Sequence, residues 1–321
     1  MREANAGTAV ASTTIWRGLG VLDDKREIKF PDENVGIIGG TDRSYVSELA
    51  GAISFESVEA TFEQFPHILE AGVKLVGTGV ADGAGSGKIY AYPFPTTALN
   101  TIKTYTIEGG DNQQAEEMEY AFVDSFKLSG NPGEALMMDA QWIGRQVTNT
   151  TFTGSISIPT VEEILFTKSK LYIDAVGGTL GTTLVSDTLL GFEFSVKTGI
   201  IPKLTANGQL YFGVHQFTMP EILLKLTYEH NTSAVTEKTA WRNQTPRQLR
   251  LAIEGSALGT PGTTYTYKTL RIDLAGKYEK FDPLGEQNGN DVLACTLRAR
   301  YNSTAALFAA LTICNELASI P

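Results

Sequence analysis

At 321 residues and 42% hydrophobic content, the chain is long enough for two domains with their own cores and too apolar for wholesale disorder. Twenty-six Lys and Arg against 36 Asp and Glu leave a net charge of −10, which argues against nucleic-acid binding driven by phosphate neutralisation. That charge suits either the solubility of a self-associating monomer or a surface past which DNA slides without sticking.

In chain order, residues 1–45 read as a poorly periodic arm holding Trp16, the charged stretch Asp23–Glu27, the turn-rich Pro31-Asp32-Glu33-Asn34 and Gly39-Gly40. Residues 44–54 predict a strand. Ser57 is placed to cap a helix whose apolar stripe is Val58, Phe62, Phe65 and Leu69, with Glu59 in its first turn and Pro66 expected to kink or divide it. Residues 77–88 form a Gly-rich loop and Thr101–Glu108 a strand. Met118, Tyr120, Phe122, Asp124, Phe126 and Leu128 then alternate with their neighbours at the period of two of a strand. Gly130-Asn131-Pro132-Gly133 predicts a turn, with strands returning over Glu134–Thr148 and Lys170–Asp174.

A second pass follows the same order. Two strands are expected at Gly191–Lys197 and Leu204–Phe217. Ile222–Glu229 then matches Ala52–Glu56, and Thr232–Asn243 matches the first helix. Gln248–Gly255 matches 102–109, Lys268–Lys280 matches 117–128, and Asn290–Asn302 matches 134–147, with 281–290 replacing the Asn-Pro-Gly turn. Ile107-Glu108-Gly109 and Ile253-Glu254-Gly255 sit at the matching point of each copy. The expected division is an arm over 1–45, a first β module over 46–175 and a second over 176–321.

No stretch declares a catalytic or metal centre. Gly83-Ala84-Gly85-Ser86-Gly87-Lys88 lacks the first Gly and the final Ser or Thr of a phosphate loop, since Asp82 and Ile89 stand there, so it reads as a flexible exposed loop. His67, His215 and His230 lack ligand spacing and read as packing or surface residues. Cys295 and Cys314 lie in apolar runs and read as small buried thiols. The carboxylates Glu116-Glu117-Glu119 and Glu162-Glu163 read as solvated element ends. Four Asn-X-Ser/Thr triplets, at Asn149, Asn231, Asn243 and Asn302, read as Thr-rich β sequence, because MREANAGTAVAS has no apolar core of secretory length. No run approaches the ~18 apolar residues of a membrane span, so a cytosolic origin is expected.

Taken in order, ANAGTAVAS (4–12), the strand–helix unit at 47–70, TYTIEGGD (104–111), SFKLSGNPGEALMMDAQWIGRQVT (125–148), LYIDAVGGTLGTT (171–183) and LRIDLAGKYEKFDPLGEQNG (270–289) resemble the tail tube (major tail) proteins of long-tailed bacteriophages in their two-module form. The helix with Pro66 and the 77–96 insert depart from a minimal module. The resemblance implies a mainly β fold of two tandem β-sandwich or partial-barrel modules, each with a flanking α-helix. In the oligomer their strands would join a ring-closed inner β-barrel. It implies a structural, non-enzymatic subunit without cofactor, made in the host bacterial cytoplasm and residing in the virion. Its partners would be copies of itself in stacked trimeric rings and the neighbouring tape measure, terminator and distal tail proteins, with DNA in transit and no membrane. The arm and the 77–96 insert would be candidates for contacts between rings. On the hydrophilic faces of the long hairpins, Glu117, Glu119, Asp273 and Glu279 are the expected channel-lining residues, and the channel is expected to be acidic. The rival expectation is a β-sandwich receptor- or carbohydrate-binding component of a virion, with Trp142, Tyr211 and Trp241 as an aromatic platform.

Overall fold

The computed structural model describes residues 1–321. Period-two stretches dominate the sequence, and 47% of residues lie in strands against 7% in two helices. The first half supplies β1 (Leu22–Asp24), β2 (Glu27–Lys29), β3 (Tyr45–Glu48), β4 (Gly51–Glu59), α1 (Phe65–Gly72), β5 (Val80–Ala81), β6 (Lys88–Pro93), β7 (Tyr105–Gly110), β8 (Ala115–Gly130), β9 (Met137–Gly144), β10 (Gln146–Thr150) and β11 (Ser169–Ala175). The second supplies β12 (Leu189–Lys197), β13 (Ile200–Lys203), β14 (Val214–Phe217), β15 (Glu221–Glu229), α2 (Thr232–Arg242), β16 (Arg247–Ala257), β17 (Tyr267–Phe281), β18 (Gly285–Gln287), β19 (Asn290–Ala299) and β20 (Ala309–Asn315).

Sixteen strands form one antiparallel sheet along the path β1-β4-β9-β8-β12-β15-β19-β17-β20-β6-β5, with β7 and β10 also on β8, β11–β16 also on β17, and β18 on β19. Partners recur as well as order. The pairs β1–β4, β4–β9, β9–β8 and β8–β7 in the first half have counterparts β12–β15, β15–β19, β19–β17 and β17–β16 in the second. A two-stranded hairpin, β2–β3 or β13–β14, precedes β4 and β15 alike, and a helix follows each. Ile107 and Ile253 fall at like places, opposite Met118 of β8 and Leu270 of β17. Their glycines admit a neighbour: a Cβ at 109 would lie 3.1 Å from Leu22, and one at 255 would lie 2.6 Å from Phe62.

The halves exchange strands. β11 pairs with β16, and β5–β6 extend β20, so one cluster of 54 buried residues runs through both halves. Burial of this apolar surface is the main stabilising term.

Several expectations change. The first helix starts at Phe65, not Ser57: β4 runs on to Glu59 through a bulge at which Ser57 has φ +52°. Pro66 then occupies the first turn of α1, where a missing N–H costs nothing, and it starts the helix where a kink was expected. β8 does not keep one phase. Tyr120 has φ +53°, and a second irregularity separates Val123 from Ser125, so the core-facing residues run Met118, Ala121, Val123, Phe126, Leu128. Tyr120 and Phe122 instead join Ile102, Ile200 and Phe212 in a separate small cluster on the opposite face. Residues 204–217 are not one strand; only Val214–Phe217 pairs, with β13. Arm residues 22–24 and 27–29 are strands in their own right.

The expected loop at 77–88 is held in place. The buried Asp82 carboxylate accepts from Thr264 N at 2.9 Å and Tyr265 N at 2.7 Å, and a Cβ on Gly85 would lie 2.5 Å from Gly262 Cα. Asp82 and Gly85 thus tie this loop to residues 262–265 of the other half, while Thr78, Val80, Ala81, Gly83 and Ala84 stay exposed.

A similar carboxylate anchors the 177–183 turn. Asp174 accepts from Gly181 N (2.7 Å), Thr183 N (2.9 Å) and Thr182 Oγ1 (2.8 Å). Burial alone would raise its pKa, but these donors hold it below the usual carboxylate value. A depressed folded pKa contributes stability above the unfolded value of about 3.9 and loses it as pH falls through the folded value. Asp174→Asn is therefore expected to lower Tm at pH 6, with the gap to wild type closing between pH 4 and pH 2. A gap constant with pH in thermal melts would show that the charge contributes nothing.

Candidate functional site

Apart from the bulges in β4 and β8, the strands β4, β9, β8, β12, β15 and β19 turn alternate side chains into the core and the others onto a polar face. In β12, Phe192, Phe194 and Val196 are buried, while Glu193, Ser195 and Lys197 face outward. In β15, Ile222, Leu224, Leu226 and Tyr228 are buried, while Glu221, Leu223 and Lys225 face outward. Cross-strand register places opposite charges together: Lys127–Asp139 (2.6 Å), Lys225–Glu193 (2.6 Å), Arg298–Glu221 (2.6 Å), Arg298–Glu279 (2.8 Å) and Lys197–Glu221 (3.7 Å). Exposed pairs of this kind are each worth about 0–1 kcal/mol. Their consequence lies in the pattern: Lys127, Lys197, Lys225 and Arg298 each face an acid across the sheet, while Glu56 and Glu59 of β4 stand exposed without an ion pair.

Of the four expected lining residues, Glu279 lies on this face, paired with Arg298. Asp273 alternates with buried Ile272 and Leu274 and is held by two 2.7 Å bonds from Arg250. Glu117 and Glu119 flank buried Met118 where β8 is gripped between β7 and β10. Burial raises the pKa of Glu119 against the opposing pull of Arg145, 3.7 Å away. The four sit on the non-core sides of β8 and β17, separated by β12, β15 and β19, and do not converge.

Sequence reasoning passed over Glu193, Lys197, Glu221, Lys225 and Arg298. Their signal was present as charges four residues apart inside otherwise apolar strands, Glu193 and Lys197 in FEFSVK and Glu221 and Lys225 in EILLKL. It also passed over Arg145, which breaks the run between β9 and β10. Its guanidinium lies over Tyr120 (4.7 Å) and Tyr211 (4.9 Å) and donates to Phe212 O and Gly7 O.

The remaining residues singled out from sequence serve packing. Cys295 and Cys314 are buried and unpaired, and burial pushes the Cys314 thiol up to about 11. His67 is buried with Nδ1 3.2 Å from Tyr105 Oη, and burial lowers its pKa to about 3; burial likewise lowers that of half-buried His215. Asn231 caps α2 by accepting from Ala234 N. Glu162 is not a solvated end: it accepts from Ser256 N at 2.6 Å and pairs with Lys268. The expected aromatic platform does not form, because Trp142 is 3% exposed among Phe55 and Tyr105, Trp241 packs on Phe281, and Tyr211 covers Arg145. No three His, Cys, Asp or Glu side chains are grouped to hold a metal ion.

The sheet also ends unevenly. Inside the chain, β12 is laddered on both sides, to β8 and to β15. At the ends of the repeated order, Lys277–Phe281 of β17 pairs only with β19, and β1 pairs only with β4. Near the second edge, Val21 is 82% and Phe30 71% exposed, with Leu19, Ile37 and Ile38 also in the open. No helix is long and apolar enough to cross a membrane. No protein-family model matches the chain, and no curated protein matches it.

Proposed function

We propose that this chain is a structural subunit of a bacteriophage tail tube, polymerising as stacked trimeric, pseudo-hexameric rings that form a conduit for DNA. The observation that carries the reading is the recurrence of strand order and strand partners in the two halves. It favours two tandem modules, which let three chains supply six quasi-equivalent wall segments. Unpaired sheet edges support closure, since a ring removes edges that a lone monomer leaves open to aggregation. The exposed apolar side chains of the arm supply a further surface for contacts between rings.

In this reading the polar face of β4-β9-β8-β12-β15-β19 lines the channel. The wall then combines cross-strand ion pairs with the unpaired acids Glu56 and Glu59. Such a wall offers phosphate neither a basic stripe to bind nor a strong field to repel it. End-on electron micrographs of the purified protein, with tail partners added if required, should show rings of three chains with six similar lobes. A monomer that never polymerises under those conditions would overturn the proposal.

A further inference from the structure

Ile107-Glu108-Gly109 and Ile253-Glu254-Gly255 hold like places in β7 and β16, but the two carboxylates have different partners. Glu254 lies 2.8 Å from Lys170 Nζ across the β11–β16 pair. Glu108 instead accepts from two loops: Ser12 N at 3.1 Å, Thr153 N at 2.9 Å and Thr153 Oγ1 at 2.6 Å. Neither loop is part of a ladder. Residues 9–21 and 151–161 make no backbone–backbone hydrogen bond. Side chains hold the first of them: Val10 N donates to Thr106 Oγ1 (3.1 Å), Arg17 N donates to Gln64 Oε1 (3.2 Å), and Trp16 stacks on Phe55 at 4.9 Å. The two loops also grip each other, since Ser12 N donates to Thr153 Oγ1 (3.1 Å) and Arg17 Nη1 to Pro159 O (3.3 Å). Beneath them lies a groove of about 440 Å³, floored by Ile53, Phe55 and Ile107 and walled by Trp16, Phe152 and Ile156. The second half secures its matching segment differently. Arg2 bridges to Tyr105 of β7 as β11 pairs with β16, so residues 176–188, between β11 and β12, correspond to the stretch that leads into β1. They are bonded to β11 through the backbone, Val185 N donating to Leu171 O and Ile173 N to Thr183 O.

We propose that Glu108 is the latch of a two-strap cover, residues 9–21 and 151–161, which opens as one unit while the sheet beneath stays folded. A segment without ladder bonds opens at low free energy, and a carboxylate shared by both straps couples the release of one to the release of the other. The buried indole N–H of Trp16 has no acceptor in the closed state, so opening costs it no hydrogen bond. Closed, the cover keeps Ile53 and Phe55 buried; open, it presents them with Trp16 as an apolar strip. The device works within a lone chain, so it stands or falls apart from the tube reading.

Chymotrypsin reads both straps in the full chain, because Trp16 lies in one and Phe152 in the other, while the exposed Phe30 lies outside them. In Glu108→Ala, the initial rates of cleavage after Trp16 and after Phe152, mapped by mass spectrometry, should each rise about tenfold, as for loss of a charged acceptor that holds the closed state. The rate after Phe30 should not change. Glu108→Gln, which keeps the shape and one acceptor oxygen, should give a smaller rise at both sites, and it decides the matter should Glu108→Ala fold poorly. Glu254→Ala should leave both rates at the wild-type value. In the wild-type chain the Ser12 and Thr153 amides should exchange hydrogen with one shared protection factor, below those of β4 and β8. A rise at only one of the two sites, or protection factors that differ between Ser12 and Thr153, would overturn the shared latch. Unchanged rates at both sites would overturn it as well. An equal rise at Phe30, with exchange quickened throughout the sheet, would show that Glu108 holds the whole fold, which also overturns the strap.

Discussion

Replacing Arg2 by Ala is expected to lower the unfolding free energy by about 3 kcal/mol, the lower end of the cost of orphaning a buried charge. The Glu70 carboxylate that it pairs with is 0% exposed on α1, with Arg2 Nε 2.7 Å from Oε2. That contact is short but not aligned as a hydrogen bond, so the guanidinium acts mainly as a counter-charge, while its Nη1 donates to Ile320 O at 3.2 Å. Without Arg2, Glu70 keeps donors from Gly77 N (2.5 Å), Val76 N (3.2 Å) and Tyr105 Oη (3.3 Å), which limits the loss. For a chain of this length, Tm should fall by roughly 5 °C. Removing both charges in Arg2→Met/Glu70→Leu should recover most of the loss, because no uncompensated ion then remains. A drop below about 1 °C in Arg2→Ala, measured by calorimetry, would show that the carboxylate is satisfied without its cation.

The same region shows what sequence could and could not convey. The Ile-Glu-Gly repeat marked β7 and β16 as matching strands from local alternation, and the structure sets them against the two longest strands. The polar outer face was legible in principle from charges four residues apart, an even spacing that keeps them on one side of a strand. What was not legible depends on partners remote in sequence. The phase of β8 shifts at Tyr120, whose backbone N–H is bonded by Glu3 at 2.7 Å, 117 residues away. Glu3 itself is 1% exposed and also accepts from Gly7 N and the Thr104 and Thr106 hydroxyls, so the poorly periodic arm is locked into the core at one end. Glycine content suggested mobility at 77–88, but Asp82 finds its donors at Thr264 and Tyr265. Trp142 offered an aromatic surface in sequence, and only the register with Ile53 and Val123 sends it inward.

The second large effect lies at the seam between the halves. Lys268 of β17 places Nζ 2.7 Å from Glu63 Oε1 and 3.1 Å from Glu162 Oε2, with its side chain 16% exposed. Glu63 precedes α1 and accepts from Glu162 N at 2.8 Å, while Glu162 also accepts from Ser256 N of β16. One cation thus ties two carboxylates of the first half to the sheet of the second. Burial would lower the Lys268 pKa, but Glu63 and Glu162 together raise it; burial would raise that of Glu162, but Ser256 and Lys268 hold it down. At neutral pH, Lys268→Met leaves two carboxylates facing each other without a counter-charge, and a loss of about 2–3 kcal/mol is expected, reduced from the fully buried case by partial exposure. The sign with pH separates this from a packing defect. The depressed Glu162 pKa contributes stability above the unfolded value of about 4.3 and loses it in acid, so the deficit of Lys268→Met should shrink between pH 5 and pH 3 as Glu162 protonates. Denaturant midpoints measured across that range would show it. A deficit independent of pH would mean that the lysine stem, and not its charge, holds the seam.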